Sequence, residues 1–254
     1  MEPANSSLRR PAASRAEANN RIVAIAARYR LLGLPVAFAA WVVSLFLSHR
    51  ASTVGSIMLN VLIARHGQSE WNQLGRWQGQ ADPQLSEFGF VQASDAATNC
   101  GSFDAIISSN LQRASQTAAV ISEATGIGPV LIDDAFSERD VGLYQGLTRE
   151  EIDERFPGQL DAGVWPEGWE TDETVLQRVL GGLESLRRQC GDGDVLVVAH
   201  GGVIYALERH FGHEYHRIPN LEGRWLHHDG TSWHLGERVA LTQKLEPQKQ
   251  DLIL

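Results

Sequence analysis

The chain has 254 residues, a formal net charge of −9 and two cysteines. That length suits one or two domains, and the acidic balance excludes a global basic field of the kind nucleic acid or an anionic surface would need. Cys100 and Cys190 make neither a disulfide framework nor a metal spacing, and neither opens a Cys-x5-Arg loop, because Ile106 and Leu196 stand where the Arg would be.

Residues 1–57 are rich in Ala, Arg, Asn and Ser at the start, with no strand or amphipathic pattern before about residue 20. Leu31 to Leu47 is then a run of 17 residues without a charge. That is the lower limit for a membrane span, about 17 residues. No Ala-x-Ala follows the apolar run, and the nearest, Ala37-Phe-Ala39, sits inside it, which argues against a signal peptide. The only methionines are Met1 and Met58. The sequence therefore predicts a non-domain extension over 1–57 and a catalytic domain over 58–254. A start at Met58 goes with a cytoplasmic protein; the rival is a membrane anchor through residues 31–47.

From Met58 the pattern alternates between strands and helices. Leu59–Ala64 reads as a buried strand that stops at Arg65-His66-Gly67. Gly75–Asp82 is a loop. Ser86–Cys100 reads as a helix with Ser86 as N-cap. Ala105–Ser108 is a strand. Leu111, Ala114, Ala118 and Ile121 follow helical spacing, and Gly126 is the stop signal. Val130–Ile132 is a short strand. Thr148 and Glu151 form a capping-box pattern opening a helix to about Phe156, before Pro157. Residues 157–170, rich in Gly, Pro and Trp, read as a lid-like loop. Leu176, Leu180, Leu183 and Leu186 mark a long amphipathic helix. Val195–Ala199 is a second buried strand, and it stops at His200-Gly201-Gly202. Val203, Ile204, Leu207 and Phe211 form one helical face. Arg224–His228 and Ser232–Leu235, around Asp229-Gly230, read as a late hairpin. The class predicted is α/β, a three-layer α/β/α arrangement with a mostly parallel central sheet.

Ligands of open α/β sheets bind beyond the carboxyl ends of the strands. Here two strands end in His-Gly. A third short strand leads into a helix with Arg113 near its start, and a loop at 136–142 carries Glu138. Two His, two Arg and one Glu so placed are the parts of a phosphoryl-transfer site with a His nucleophile. Planar guanidinium forks on Arg65 and Arg113 match phosphate oxygens. They also favour the neutral form of a nearby imidazole. There is no GxxxxGK[ST] loop for nucleotide hydrolysis.

The segments LIARHGQSEWN at 62–72, GRWQGQADPQLSEFGFVQA at 75–93, SSNLQRASQTA at 108–118, SERDVGLYQGLT at 137–148 and VVAHGG at 197–202 resemble, in order, those of the histidine phosphatase superfamily, phosphoglycerate mutase-like branch. The resemblance implies a phosphoglycerate mutase-like fold and a metal-independent phosphomonoesterase needing no cofactor. It implies His66 as nucleophile, His200 as a contact to the phosphoryl oxygens, Glu138 as proton donor to the leaving oxygen, and Asn72, Arg65, Arg113 and Gly201 as phosphate-binding residues. His200, protonated, would add a third positive group. Gly67 and Gly201 would let backbone approach the ligand, and N–H groups at the start of the following helix would add to the anion field.

Relatives carry an aromatic-acid-Gly where this chain has Tyr144-Gln145-Gly146. The stretch from Glu138 to His200 holds one short helix, a loop and one long helix, which favours a phosphatase over a mutase. The rival of another class is a non-catalytic member that binds a phosphorylated ligand or a partner. The partner expected is a small phosphorylated substrate and not nucleic acid; sugar phosphates, phosphoglycerate derivatives and nucleoside monophosphates all fit. Trp77, Trp165 and Trp169 either line the pocket or pack a lid. His213 and His216 have no carboxylate or Cys cluster to complete a metal site, and read as a helix end.

Overall fold

The structure, a computed structural model, describes residues 58–243. The expectations for residues 1–57 lie outside the described residues. Among the described residues no helix is long and apolar enough to cross a membrane.

Six strands form one sheet: β1 (Leu59–Arg65), β2 (Ala105–Ser108), β3 (Leu131–Ile132), β4 (Gly193–Ala199), β5 (Glu222–His228) and β6 (Trp233–Ala240). Their order is β3-β2-β4-β1-β5-β6. The first four in that order run parallel, and β5 and β6 add an antiparallel edge. The mostly parallel α/β sheet is as expected. β1 and β4 are buried on both faces, which is why they read as continuous apolar runs rather than alternating ones.

The helices are α1 (Glu70–Gln73), α2 (Glu87–Asn99), α3 (Gln112–Thr125), α4 (Arg149–Arg155), α5 (Asp172–Cys190) and α6 (Gly201–His210). Successive strand residues point to opposite faces. Val61 and Ile63 join Val195 and Val197 in a core with Val179 and Leu183 of α5 and Val203 and Leu207 of α6. Leu62 and Ala64 join Leu196 and Val198 in a second core with Ala96 of α2 and Ala114, Ala118 and Ile121 of α3. These two cores are the interfaces of the three layers.

Local signals act as predicted. Ser86 accepts from Gly89 N, Thr148 closes a capping box with Glu151, and Gly126 ends α3 at φ 73°. Three expectations are corrected. The buried face of α5 is Val175, Val179, Gly182, Leu183 and Leu186, so Leu176 and Leu180 lie at its margin. β6 runs on to Ala240, because β5 supplies backbone partners through Val239 and Ala240 whatever the side-chain pattern. The 157–170 segment is tied down rather than free as a lid. Leu160 and Trp169 pack on Trp77, Tyr144 and Ile152, and Glu170 N donates to Asp140 O at 2.9 Å.

The loop after β1 rests on α2 backbone to backbone. A Cβ on Gly89 would stand 2.0 Å from Gln68 O, and one on Gly67 2.8 Å from Gly89 O. Gly89→Ala should therefore destabilise the protein by about 1–3 kcal/mol, although Ala is the better helix former. Gly181→Ala, on α5 with nothing within 4 Å of its added methyl, should instead stabilise by about 0.4–1 kcal/mol. Denaturant unfolding of both variants checks the contrast, and a stable Gly89→Ala protein would contradict the close packing.

Candidate active site

β1 and β4 pair with Arg65 opposite Ala199, so His66 and His200 leave the sheet side by side. His66 N donates to Ala199 O at 3.0 Å, one step beyond the ladder. The two rings lie with centroids 5.1 Å apart. His66 Nδ1 is 2.6 Å from Gly67 O. A carbonyl only accepts, so Nδ1 carries the proton and the lone pair is on Nε2. Burial first, then the charges of Arg113 and Arg65, hold His66 well below its ordinary pKa of 6.5, against a smaller upward pull from the Gly67 bond.

His200 is the N-cap residue of α6, but its side chain makes no capping bond. Its Nε2 is 2.7 Å from Ser109 Oγ, and its Nδ1 is buried with no hydrogen-bond partner. Burial, then Arg113 and His66, hold its pKa well below the ordinary value. The expectation of a third positive group is corrected for the free protein. Both imidazoles are neutral there, because a second and third cation would be buried beside Arg113 without a carboxylate between them.

Of the seven residues singled out in the sequence, Arg65, His66, Asn72, Glu138 and Gly201 line one pocket. His200 and Arg113 are fully buried and are not among its lining residues. Arg65 Nη1 donates to Ile218 O at 2.9 Å. Arg113 is fully buried on α3, with its terminal nitrogens donating to Ala81 O at 2.7 Å and Gly79 O at 2.8 Å. Its Nε has no hydrogen-bond partner. Burial lowers the Arg113 pKa to about 10, against upward pulls from Glu138 and Asp82. Arg113 thus stays charged at neutral pH, while its fork braces the loop that carries Gly79. Asn72 closes a capping box with Ser69, and Asn220 Nδ2 reaches His66 O at 2.8 Å and Asn72 Oδ1 at 3.5 Å.

Glu138 Oε1 accepts from Gly202 N at 3.1 Å and from Arg139 N at 2.7 Å. A Cβ on Gly202 would stand 2.3 Å from that oxygen, so a larger residue would have to displace the carboxylate. The N-terminus of α6, expected to serve the ligand, is met by the protein's own carboxylate. Added methyls would meet Gly89 O at Gly67 and the Tyr205 ring, at 3.3 Å, at Gly201. Trp77 and Trp169 both line the pocket and pack together, 6.1 Å between centroids, so the two alternatives coincide. Trp165 stacks on the outside of Trp169 at 4.2 Å.

Sequence reasoning missed Ser109, Asn220, Arg178 and Arg217. Ser109 follows β2 and Asn220 precedes β5, both at strand ends, which is the one signal that pointed to them. Among the described residues no group of three or more His, Cys, Asp or Glu is placed to hold a metal ion.

Buried neutral histidines make stability depend on pH. The unfolded chain takes up protons as pH falls below about 6.5, and the folded chain does not until its depressed pKa values are reached. Stability should be full above about pH 6.5 and fall below it, by about 1.4 kcal/mol per pH unit for each histidine. Urea unfolding between about pH 8 and about pH 5 checks this. The His66→Ala, His200→Ala double variant should show a shallower slope; an unchanged slope would mean the rings titrate normally.

Residues 61–239 match the model of the histidine phosphatase superfamily (branch 1). A glucosyl-3-phosphoglycerate phosphatase of Mycobacterium tuberculosis is 38% identical over 162 residues, covering 58% of this chain and 72% of that protein. A metal-independent phosphoserine phosphatase of Arabidopsis thaliana is 33% identical over 165 residues, covering 61% and 69%. The solved structure of a mycobacterial glucosyl-3-phosphoglycerate phosphatase with VO3 superposes with a TM-score of 0.61 at 31% identity, covering 73% of this chain and all of that one, 100%. Five ordered motifs, two His-bearing strand ends and a sheet shared with these enzymes have one reading: this chain belongs to the histidine phosphatase superfamily, branch 1, and is a phosphatase.

Proposed function

We propose that residues 58–254 form a metal-independent phosphomonoesterase that works through a phosphohistidine on His66 and hydrolyses a small phosphorylated metabolite. The observation that carries this reading is the tautomer of His66. With the Nδ1 proton pinned to Gly67 O, the lone pair on Nε2 is free in the pocket beside the Arg65 guanidinium. In the first half, Nε2 attacks phosphorus, the P–O bond to the alcohol breaks, and Glu138 gives the leaving oxygen a proton. In the second half, the Glu138 carboxylate takes a proton from water as its oxygen attacks the phosphohistidine. Inorganic phosphate leaves and His66 returns to its neutral form. Arg65 and Asn72 meet the phosphoryl oxygens from the pocket wall, with the Gly201 backbone beside them, and Arg113 adds charge from behind. If Ser109 donates its hydroxyl proton to His200 Nε2, the unpartnered Nδ1 becomes an N–H donor to the same oxygens.

Because the positive groups are side chains, activity should survive strong chelation, as the name of the Arabidopsis relative indicates for that enzyme. Turnover of p-nitrophenyl phosphate with and without chelator checks this, and activity restored only by added metal would overturn the mechanism. Quenching with alkali should trap an acid-labile, alkali-stable phosphoenzyme that is absent from His66→Ala.

The mouth of the pocket supports a finer reading of the substrate. Arg217 lines it, and its guanidinium makes no hydrogen bond or ion pair among the described residues. A second anionic group on the substrate would pair with it. Phosphoserine and glucosyl-3-phosphoglycerate, named for the two relatives, both carry a carboxylate beside the phosphate. Phosphoserine should therefore be hydrolysed with a lower KM than phosphoethanolamine, which lacks the carboxylate. Arg217→Ala should remove most of that preference, about tenfold for one exposed charge-assisted contact of about 1.5 kcal/mol. Equal KM values in the wild type would exclude a carboxylate subsite.

A further inference from the structure

Arg178, on α5, uses every donor it has. Nε and Nη2 hold the Glu170 carboxylate at 2.8 and 2.9 Å. Nη1 donates to Ala135 O at 2.9 Å and Ser137 O at 2.6 Å, and Nη2 donates again to Glu138 O at 3.2 Å. A guanidinium has five N–H groups, and five bonds are made. Nothing remains for a substrate. Three of the four carbonyls from Ala135 to Glu138 are thus gathered onto one planar cation, and that cation is held flat by a bidentate carboxylate.

The segment so held is the one that carries Glu138. It has no regular secondary structure beyond one short turn at Asp134–Phe136. Neither a sheet ladder nor a helix fixes Glu138; its backbone is held by these bonds, with a longer one from Gln80 Nε2 to Glu138 O at 3.4 Å and one from Ser137 Oγ to Asn110 at 2.7 Å, and its carboxylate by Gly202 N and Arg139 N. Glu170 reaches further. It accepts from Asp140 N at 3.2 Å, its carbonyl accepts from Arg139 Nη1 at 2.8 Å, and Arg139 lies over the ring of Trp169 at 5.2 Å. Burial pushes the Glu170 pKa up, but its bonds from Arg178 and Asp140 N outweigh that and hold it below the ordinary carboxylate range. Glu170 therefore meets the guanidinium as a carboxylate at neutral pH.

We infer that Arg178, locked by Glu170, is a positioning residue: it sets where the Glu138 carboxylate stands against the leaving oxygen, and so governs the proton steps rather than phosphate binding. The inference rests on Glu138 as the proton donor. A misplacement of about 1 Å can cost about 100-fold in rate. The loss should appear only where the proton matters. An alkyl alcohol needs protonation to leave; p-nitrophenolate hardly does.

The test measures release of the leaving group in the first turnover, with p-nitrophenyl phosphate and with an alkyl phosphate, for wild type, Glu138→Gln, Arg178→Gln, Arg178→Lys and Glu170→Gln. Arg178→Gln should release p-nitrophenolate within about threefold of wild type and the alkyl alcohol about 10–100-fold more slowly, in the pattern of Glu138→Gln. Inhibition by inorganic phosphate should be unchanged. Arg178→Lys should not rescue, because an ammonium cannot span three carbonyls and a carboxylate. Glu170→Gln should show the same selectivity at smaller size, and serves where an Arg178 variant does not fold. If Glu138→Gln discriminates between the substrates but Arg178→Gln and Glu170→Gln slow both alike, or if Arg178→Lys is fully active, the positioning role is overturned and the phosphatase mechanism stands. If Glu138→Gln itself does not discriminate, the proton donor lies elsewhere and this inference falls with that reading.

Discussion

The parallel pairing of β1 with β4 is the constraint on which the site depends. Arg65 stands opposite Ala199, and the bond from His66 N to Ala199 O carries the register one residue past the sheet. This brings two histidines that are far apart in the chain to a ring separation of 5.1 Å. A slip of one residue would turn every side chain of β1 to the opposite face. It would also exchange the two cores, since Val61 and Ile63 feed one and Leu62 and Ala64 the other. The packing that stabilises the sheet and the geometry of the site are therefore the same requirement.

The electrostatics follow from what is not placed there. Arg113 and both histidines are buried together, and the nearest acids, Glu138 and Asp82, relieve only part of the cost. The site answers by keeping the imidazoles neutral and the guanidiniums charged. His66 keeps its lone pair, as the proposed mechanism requires, and Arg113 Nε and His200 Nδ1 are two of the buried nitrogens without a hydrogen-bond partner. Buried polar atoms without partners are uncommon and call for an explanation. Under the proposed mechanism the substrate's phosphoryl oxygens supply one for His200 Nδ1.

Much of this was legible in the sequence wherever the signal was local. Strands buried on both faces show themselves as apolar runs, and a run that ends in Arg-His-Gly or His-Gly-Gly marks its own functional end. Caps are local as well, so Ser86, Thr148 and Gly126 could be placed from neighbours within three residues. What was not legible is long-range. Nothing near Arg113 in the sequence says that its fork will bind the carbonyls of Gly79 and Ala81, 34 and 32 residues away. Asn220 reaches His66 across 154 residues. Gly67 was recognised, but its close approach to Gly89 O was not: a requirement for glycine shows in the sequence, while the atom that meets it does not. The 157–170 segment was misread because its Gly and Pro content hid Leu160 and Trp169, whose burial ties it down.

The arrangement around Gly202 changes how the phosphate charge is met. A helix N-terminus at the end of a central strand is a ready anion site, and α6 has that position. Its Gly202 N–H is already committed to Glu138, and the glycine's missing side chain is what lets the carboxylate come so close. A phosphate reaching His66 cannot use that N–H without displacing Glu138, whose backbone is pinned by Arg178 and Arg178 by Glu170. The cheaper course is to leave the carboxylate where it stands and meet the phosphate with side chains. Under the proposed mechanism the labour divides accordingly: arginines for charge, an imidazole lone pair for attack, and a helix N-terminus that holds the group proposed to handle protons.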